Sequence, residues 1–265
     1  MKKFNGKAIY EPSGKAAEYS PWACNFYTGC SNDCDYCYCK RGVMAHVWDT
    51  TPRLKKCFKN EEHALRTFIK ELEKNLDAIK KTGIFFSFTT DPLLKETRAL
   101  TWAAVTACQA YNVPVQLLTK CSLQPDEIPD FPHKNLIAIG FTLTGADELE
   151  PGASTNEERI ESMQRLHERG YKTFASIEPV IDPFKAEDII LSTLGICDLY
   201  KVGLISGKGK DFYNSRYVVE LWWTLRDLAM NGYKIYLKDS LLSYIDKERS
   251  TLKNFVGADY NIFNN

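Results

Sequence analysis

One short stretch of the sequence indicates both the fold and the chemistry of this chain: Gly29-Cys30-Ser-Asn-Asp-Cys34-Asp-Tyr-Cys37-Tyr-Cys39. Its cysteines at positions 30, 34 and 37 are spaced four and then three residues apart. Gly29 gives the backbone the freedom to enter a tight loop, and Asn32 and Asp33 favour turns. Three thiolates can therefore converge on one point, and clustered thiolates bind soft centres such as zinc, copper(I) or an iron–sulfur cluster.

The number of cysteines in this loop bears on the kind of centre. A structural zinc site needs four closed ligands, whereas an iron–sulfur cube held by three cysteines keeps one iron open. Cys24 or Cys39 could complete a zinc site, which would make the chain a non-catalytic zinc or iron–sulfur binding module. A second cluster that uses Cys24, Cys39 or Cys57 also stays open, as does an ordinary barrel enzyme whose cysteines are incidental.

Composition limits the class of protein. The chain has 265 residues, of which 44% are hydrophobic, and this is enough for one large core. Its 34 basic and 34 acidic residues balance, which argues against a large nucleic-acid footprint but leaves room for a local basic patch. The sequence shows neither a secretory signal nor a membrane-spanning stretch, and its nine cysteines cannot all pair. We therefore expect a cytoplasmic protein without a membrane partner.

Strand-like runs alternate with helix-like runs along the chain, a pattern typical of parallel βαβ units. The strand-like runs cover residues 22–27, 84–90, 113–119, 136–144, 171–178, 198–205 and 233–237. The helix-like runs cover residues 60–83, 93–111, 155–170, 186–194 and 216–230, with a last short helix after 239. The pattern predicts an α/β fold, a partial (βα)6 TIM-like barrel with an additional C-terminal strand. We expect residues 1–20 to form an N-terminal arm and residues 21–265 a single domain.

The cysteine spacing, with Tyr36 directly before Cys37, resembles the motif of the radical SAM enzymes. The flanking pattern, Asn25-x-Tyr-Thr-Gly-Cys-Ser and Cys34-x-Tyr-Cys-Tyr, resembles the spore photoproduct lyase-like branch of that superfamily. The resemblance covers most of the chain, because the predicted barrel and the position of the loop after the first strand-like run (22–27) also agree with it. It implies a 4Fe–4S cluster held by Cys30, Cys34 and Cys37, whose fourth iron chelates S-adenosylmethionine (SAM).

The resemblance also implies a reaction and partners. A flavodoxin- or ferredoxin-type protein would reduce the cluster, and SAM would be cleaved to a 5′-deoxyadenosyl radical that takes hydrogen from a substrate. The lyase-like branch favours a nucleic acid or nucleotide as substrate. Modification of a peptide or of a small molecule is the alternative within the same class.

Sites in parallel α/β folds form at the carboxyl ends of the strands, and the resemblance assigns roles there. It places Thr89, Thr90 and Asp91 at the SAM amino group, although Asp91 could instead cap the next helix. The other residues that it implies for SAM are Tyr36, Thr142, Thr144, Arg159, Glu178 and Val180. For Arg159 a surface ion pair with Glu157 or Glu161 is the alternative, and for Glu178 a helix cap or a position facing the substrate.

The remaining strand ends carry candidates for contact with the substrate. Cys121 is a candidate hydrogen-atom donor, although its distance from the cluster motif differs from that in the lyases, so a plain thiol is the alternative. The predicted substrate-facing residues are Lys120, Lys201, Lys238 and Asp239, with Ser206 beside them. Lys208 and Lys210 lie in a glycine-containing loop that could bind phosphate.

Overall fold

The structure is a computed structural model that describes residues 3–41, 44–205, 208 and 210–264. The strands of this part of the chain are β1 (Ile9–Tyr10), β2 (Ala23–Cys24), β3 (Tyr27–Thr28), β4 (Arg53–Leu54), β5 (Ile84–Phe86), β6 (Val115–Thr119), β7 (Ile137–Thr142), β8 (Lys172–Val180), β9 (Leu199–Leu204) and β10 (Ile235–Leu237). Its α-helices are α1 (Glu61–Lys74), α2 (Leu76–Thr82), α3 (Arg98–Ala110), α4 (Asn156–Glu168), α5 (Pro183–Ser192), α6 (Ser215–Met230) and α7 (Asp239–Tyr244).

Eight of these strands form one sheet in the order β1-β2-β5-β6-β7-β8-β9-β10. All pairs from β2 to β10 are parallel, and only β1 is antiparallel to its neighbour. Strands β3 and β4 form a separate antiparallel pair. Within the described ranges no pairing joins β1 to β10, so the sheet is a partial barrel, which confirms the predicted fold class.

Helix boundaries follow local capping signals. The Asn60 side chain accepts from the backbone N–H of His63 at 2.8 Å and starts α1, which buries Ala64, Phe68 and Leu72 on one face. Thr155 and Glu158 form a reciprocal capping box at the start of α4, as the sequence predicts. These caps determine where the two helices begin.

Two hydrophobic clusters occupy the two faces of the sheet. Alternate strand residues point outward into the main core with the helices, for example Phe86, Leu117 and Ile139. Their neighbours point inward, and the second cluster consists of the strand residues Ala23, Phe85, Ala138, Phe174, Leu199 and Tyr236 together with Ile262 from the C-terminal segment. Because both faces are covered, the parallel strands are continuously apolar rather than alternating.

The structure differs from the sequence prediction at several boundaries. The predicted helix over 60–83 is divided at Asn75 into α1 and α2. The predicted strand over 22–27 is two strands, because the chain leaves the main sheet after Cys24 and pairs with β4 from Tyr27. The order and type of the larger elements are as predicted. The division into an arm (1–20) and a single domain (21–265) stays a prediction.

The N-terminal residues are tied to the rest of the fold. β1 pairs with β2, and the Glu71 carboxylate of α1 accepts from the backbone N–H groups of Lys7, Ala8 and Ile9 at 2.7–2.9 Å. Among the helices that the structure describes, none has the length and apolar character to cross a bilayer.

Candidate active site

The cysteine loop begins where β3 ends. Gly29 has φ +84°, and a Cβ at this position would lie 2.6 Å from the carbonyl oxygen of Asp49, so the loop entry requires glycine. The Cys30 N–H donates to the same Asp49 oxygen at 3.0 Å, and the Cys37 N–H donates to Cys34 O at 3.1 Å. Cys34 is buried, whereas Cys30 and Cys37 are half-buried. One short turn therefore carries all three thiols.

Charged and polar groups around the loop shift the pKa values of these thiols. The neighbouring Cys39 lowers the pKa of the Cys37 thiol to about 6, against the opposing effect of burial. Burial alone would lower the pKa of Lys120, but the nearby Cys34, Glu150, Cys30 and Asp91 raise it. Lys120 is thus held as a cation beside the cysteines, where it favours their thiolate forms.

The donor chemistry of the loop fits an iron–sulfur cluster held by three cysteines. The three soft sulfur ligands lie on one turn. Burial raises the pKa of Cys30 and Cys34, and the nearby cation of Lys120 opposes this shift. No group of three or more His, Cys, Asp or Glu side chains in residues 3–41, 44–205, 208 and 210–264 has the geometry of a metal site. The thiols would therefore have to turn toward the cluster when it binds.

The end of β5 contacts the cysteine loop through Asp91. Its carboxylate accepts from Asn32 Nδ2 at 2.8 Å and from Thr119 Oγ1 at 2.7 Å, and it is 7% exposed. Asp91 does not cap α3, because that helix begins at Arg98 with Thr97 as its N-cap. Of the neighbouring predicted residues, Thr89 Oγ1 donates to Tyr27 O at 2.5 Å, and the Thr90 hydroxyl is buried without a partner.

A buried chain of polar groups joins the cysteine loop to the end of β7. The Tyr36 hydroxyl donates to Glu150, which also accepts from the guanidinium of Arg159. Arg159 donates through Nη1 to Thr142 O at 2.6 Å and through Nε to Ser154 O at 2.8 Å. Its side chain is 0% exposed, so the alternative of a surface arginine is wrong.

The predicted residue Thr144 lies in the connection between β7 and α4. Its backbone N–H donates to Asn156 Oδ1 at 2.9 Å, and its hydroxyl accepts from the N–H of Ala146 at 3.3 Å. The residue is fully buried. These bonds fix the turn that carries the chain from the strand end to α4.

A second polar cluster, the inner network, lies on the inward face of β8–β10. Glu178 accepts from Lys238 Nζ at 2.5 Å and from the Tyr19 hydroxyl at 2.7 Å. Lys201 Nζ donates to the carbonyl oxygens of Tyr19 at 3.0 Å and Glu18 at 3.3 Å. Burial and the nearby Lys238 lower the pKa of Lys201 to about 7, although Glu178 and Glu18 oppose the shift.

Other predicted residues surround the inner network. Val180 is fully buried, and its carbonyl accepts from the Tyr213 hydroxyl at 2.6 Å. Glu178 does not cap α5, because the Asp182 side chain accepts from Phe184 N at 2.9 Å and caps that helix. The Asp239 carboxylate pairs with Arg249 at 2.6 Å.

The remaining predictions fall at the edges of the site. Cys121 is half-buried beside the cysteine loop, and burial together with Asp91 raises the pKa of its thiol. Lys208 lies over the ring of Phe212, 5.2 Å from its centroid. Ser206 and the side chain of Lys210 lie outside the described residues.

The structure brings the predicted residues together in two groups that meet at Phe88. The first surrounds the cysteine loop, and the second is the inner network. Phe88 O accepts from the Tyr38 hydroxyl next to Cys37, and the Phe88 ring lies 5.9 Å from that of Tyr19. Sequence reasoning missed Glu150 and Tyr19, which no motif or periodicity marks, and it took Asn32 only as a turn former within the cysteine motif.

The sequence of the chain is similar to a known protein family and to two uncharacterized proteins. A sequence model of the radical SAM superfamily matches residues 24–191, which is more than half of the chain. An uncharacterized protein of Methanocaldococcus jannaschii is 24% identical over 246 residues, covering 86% of this chain and 85% of the relative. An uncharacterized protein of Acidianus two-tailed virus is 24% identical over 239 residues, covering 80% and 76%.

Solved structures share the fold. A variant of spore photoproduct lyase aligns with a TM-score of 0.64 at 15% identity, over 85% of this chain and 78% of the lyase. SuiB of Streptococcus suis bound to S-adenosylmethionine aligns with a TM-score of 0.50 at 11% identity, over 82% of this chain and 51% of SuiB. At these identities the likeness shows the fold alone.

Proposed function

Because this chain belongs to the radical SAM superfamily, we propose that it is an enzyme that cleaves SAM and uses the product to activate a substrate C–H bond. The observation that carries the proposal is the loop of Cys30, Cys34 and Cys37 at the strand ends, next to the cation of Lys120. When bound there, a 4Fe–4S cluster would supply the electron that converts SAM into methionine and a 5′-deoxyadenosyl radical.

The strand ends offer groups that would orient SAM. At the end of β5, the unpartnered hydroxyl of Thr90, the hydroxyl oxygen of Thr89 and the main-chain carbonyl oxygen of Asp91 suit the SAM amino group. Thr142 and Thr144 at β7, with Arg159 behind them, suit the ribose or carboxylate. Tyr36 would lie beside the cofactor and is held in place through Glu150.

The side of the site near β8–β10 would face the adenine and the substrate. The side chain of Val180 is buried in the main core, so this residue would contribute through its main chain, and Glu178, Lys201, Lys238 and Asp239 supply charge. The aromatic rings of Phe85, Phe88 and Tyr19 pack closely at the inner face. Such packing excludes water, which protects a radical from side reactions. Cys121, close to Cys30, stays a candidate hydrogen-atom donor.

Charge near the cysteine loop supports a nucleic acid or nucleotide as substrate. Residues 40–59 carry six lysines and arginines and a single acidic residue, although the whole chain is neutral. The segment contacts the loop directly through Asp49 and Thr51. A basic segment that carries the half-buried Trp48 suits a phosphate backbone and its bases. A spore photoproduct lyase variant has been solved with a dinucleoside spore photoproduct.

A peptide or small-molecule substrate is the second candidate. SuiB has been solved with a precursor peptide, and that structure aligns with a TM-score of 0.53 at 10% identity, over 87% of this chain and 53% of SuiB. Binding of a single-stranded oligonucleotide discriminates the two, because phosphate contacts make affinity fall steeply between about 50 and 200 mM salt. The triple variant Arg41→Glu/Lys56→Glu/Lys59→Glu should lose this binding, and the matched control is Lys80→Glu/Lys81→Glu/Lys253→Glu. All six residues are exposed.

The proposal includes a reductant and a compartment. A flavodoxin- or ferredoxin-type protein would deliver the electron, and the same basic segment suits an acidic donor. An iron–sulfur cluster and nine free cysteines fit a reducing environment, so we place the protein in the cytoplasm.

The decisive experiment uses anaerobically purified and reconstituted protein. We expect about four irons per chain, as for one 4Fe–4S cluster, and 5′-deoxyadenosine after addition of dithionite and SAM. The Cys34→Ala variant should lose both. Zinc in place of iron, with SAM untouched, would contradict the proposal and favour a non-catalytic zinc module.

A further inference from the structure

The carboxylate of Asp91 is saturated by protein donors. Oδ1 accepts from the backbone N–H of Leu93 at 3.0 Å and from Thr119 Oγ1 at 2.7 Å. Oδ2 accepts from Asn32 Nδ2 at 2.8 Å and from the backbone N–H of Lys120 at 2.7 Å. A carboxylate has about four lone-pair sites, so all of them have a donor within the chain. A ligand ammonium would have to displace one of these donors.

One of the four donors belongs to the cysteine loop itself. Asn32 lies between Cys30 and Cys34 and is 2% exposed. The side-chain amide of Asn32 donates to Asp91, and its main-chain carbonyl oxygen accepts from the backbone N–H of Gly152 at 3.1 Å. The loop is thus held on one side by the end of β5 and on the other by the connection after β7.

Main-chain groups of the same two residues reach the first cysteine. The backbone N–H groups of Asn32 and Asp91 lie near the sulfur of Cys30 and favour its thiolate form. Hydrogen bonds to sulfur and nearby charge are among the factors that set the reduction potential of iron–sulfur clusters. A shift of Asp91 would therefore move both the loop and the donors that face its sulfur.

We propose that Asp91 is a positioning residue, which holds the Cys30–Cys34 loop against the ends of β5 and β6 through Asn32. It acts through Asn32 and not by contact of its carboxylate with SAM. The SAM amino group is met by other acceptors of this strand end, such as the hydroxyl of Thr90. The inference rests on the proposed function for the identity of the cluster. The contact between Asp91 and the loop exists in the protein without a bound cluster.

The first test uses the protein without a cluster, so that it does not depend on activity. Alkylation of Cys30 and Cys34 by iodoacetamide is followed by mass spectrometry in wild type, Asn32→Ala and Asp91→Asn. We expect both variants to react roughly tenfold faster, as fits the loss of a hydrogen bond to a charged group. Asn261→Ala is the matched control, because its amide donates to Lys81 O at 3.1 Å on the surface. Circular dichroism verifies that each variant is folded.

The second test uses the reconstituted protein. Both variants should bind less iron and shift the electron paramagnetic resonance spectrum of the reduced cluster in the same direction. The fraction that does bind iron should keep its affinity for SAM to within about threefold, since no contact with SAM is lost. Asn32→Asp places two carboxylates together and should be the most severe change. Adding Asp91→Asn to it restores one amide–carboxylate bond and should recover part of the iron.

Two results would overturn the proposal. One is an Asn32→Ala variant whose alkylation rate and iron content equal those of wild type. This variant keeps the Asp91 carboxylate, so the result is decisive even if Asp91→Asn does not fold. The other is loss of SAM affinity in Asp91→Asn with normal iron and a normal spectrum, which would place the carboxylate on SAM. If wild type binds no iron, the proposed function fails, whereas the alkylation result still tests the role of Asp91.

Discussion

The hydroxyl of Tyr19 donates to a carboxylate oxygen of Glu178 at 2.7 Å, although 159 residues separate the two in the chain. The same oxygen accepts from Lys238 Nζ, and this ammonium lies 4.0 Å from the centroid of the Tyr19 ring. Burial and the neighbouring Glu178 raise the pKa of Tyr19 well above its ordinary value, so the phenol stays protonated. The N-terminal segment and β8 are thus joined around one buried ion pair.

Removal of one partner of this pair should destabilise the fold. Glu178→Gln leaves the ammonium of Lys238, which is 1% exposed, without its closest countercharge. We expect the free energy of unfolding to fall by about 3 kcal/mol, as for other broken buried pairs. Urea denaturation measures it, with the exposed Glu157→Gln as control. The double variant Glu178→Gln/Lys238→Met should lose less than the two single changes added together.

The stability of the protein should depend on pH through Lys201. Its pKa in the folded state is about 7 against an ordinary value of 10.5. Between these values the unfolded chain binds the additional proton, so wild type should gain stability relative to Lys201→Met as the pH rises. Below about pH 7 both states are protonated and the difference should be constant. Urea denaturation of both proteins at a series of pH values measures this, and parallel curves would contradict it.

Replacement of Arg159 should affect both stability and the cysteine loop. Arg159→Met leaves the buried carboxylate of Glu150 without its cation, which should cost about 3–5 kcal/mol. Arg159→Lys keeps the charge but cannot serve Glu150, Thr142 O and Ser154 O together, because those bonds use three different nitrogens. We expect Arg159→Lys to be intermediate in denaturation midpoint and in iron content. Equal behaviour of wild type and Arg159→Lys would show that charge alone suffices.

Gly152 should be essential for the position of the cysteine loop. A Cβ at this residue would lie 1.9 Å from the carbonyl oxygen of Ser31. Gly152→Ala should therefore displace the loop and lower the iron bound after reconstitution. Gly232→Ala is the control, since it meets open space at φ +93° and should cost about 1–2 kcal/mol of backbone strain without loss of iron. Normal iron in Gly152→Ala would contradict the prediction.

The parts of the fold that the sequence predicts are those that depend on local pattern. Strands such as β6 and β7 are buried on both faces and appear as short apolar runs, and α4 carries a complete capping box. The break between α1 and α2 is not predicted, because Asn75 is compatible with a helix interior and the apolar spacing continues beyond it. The exit of the chain from the sheet after Cys24 depends on pairing with β4, which is distant in sequence.

In the candidate site, too, the sequence predicts some features and not others. The cysteines are predicted because their spacing is local and specific. The burial of Arg159 is not predicted, because helix periodicity does not show that Glu150 folds back against this side chain across a loop. Tyr19 reaches the inner network through contacts with β8 and β9, and no residue near it in the sequence indicates this. Contacts between loops and strands thus determine what the local pattern leaves open.

The inner face of the sheet contains side chains from both distant ends of the chain, and this bears on how the protein is made. Ile262 packs in one cluster with Ala23, Phe85 and Phe174. During synthesis the earlier strands can pair as they emerge from the ribosome. The hydrophobic cluster on the inner face, however, is incomplete until residue 262 is available. The nascent chain would therefore present the cysteine loop before the interior beside it is complete. An iron–sulfur cluster inserted at that moment would be exposed to oxygen and water. Insertion of the iron–sulfur cluster after translation would therefore protect it better in this fold.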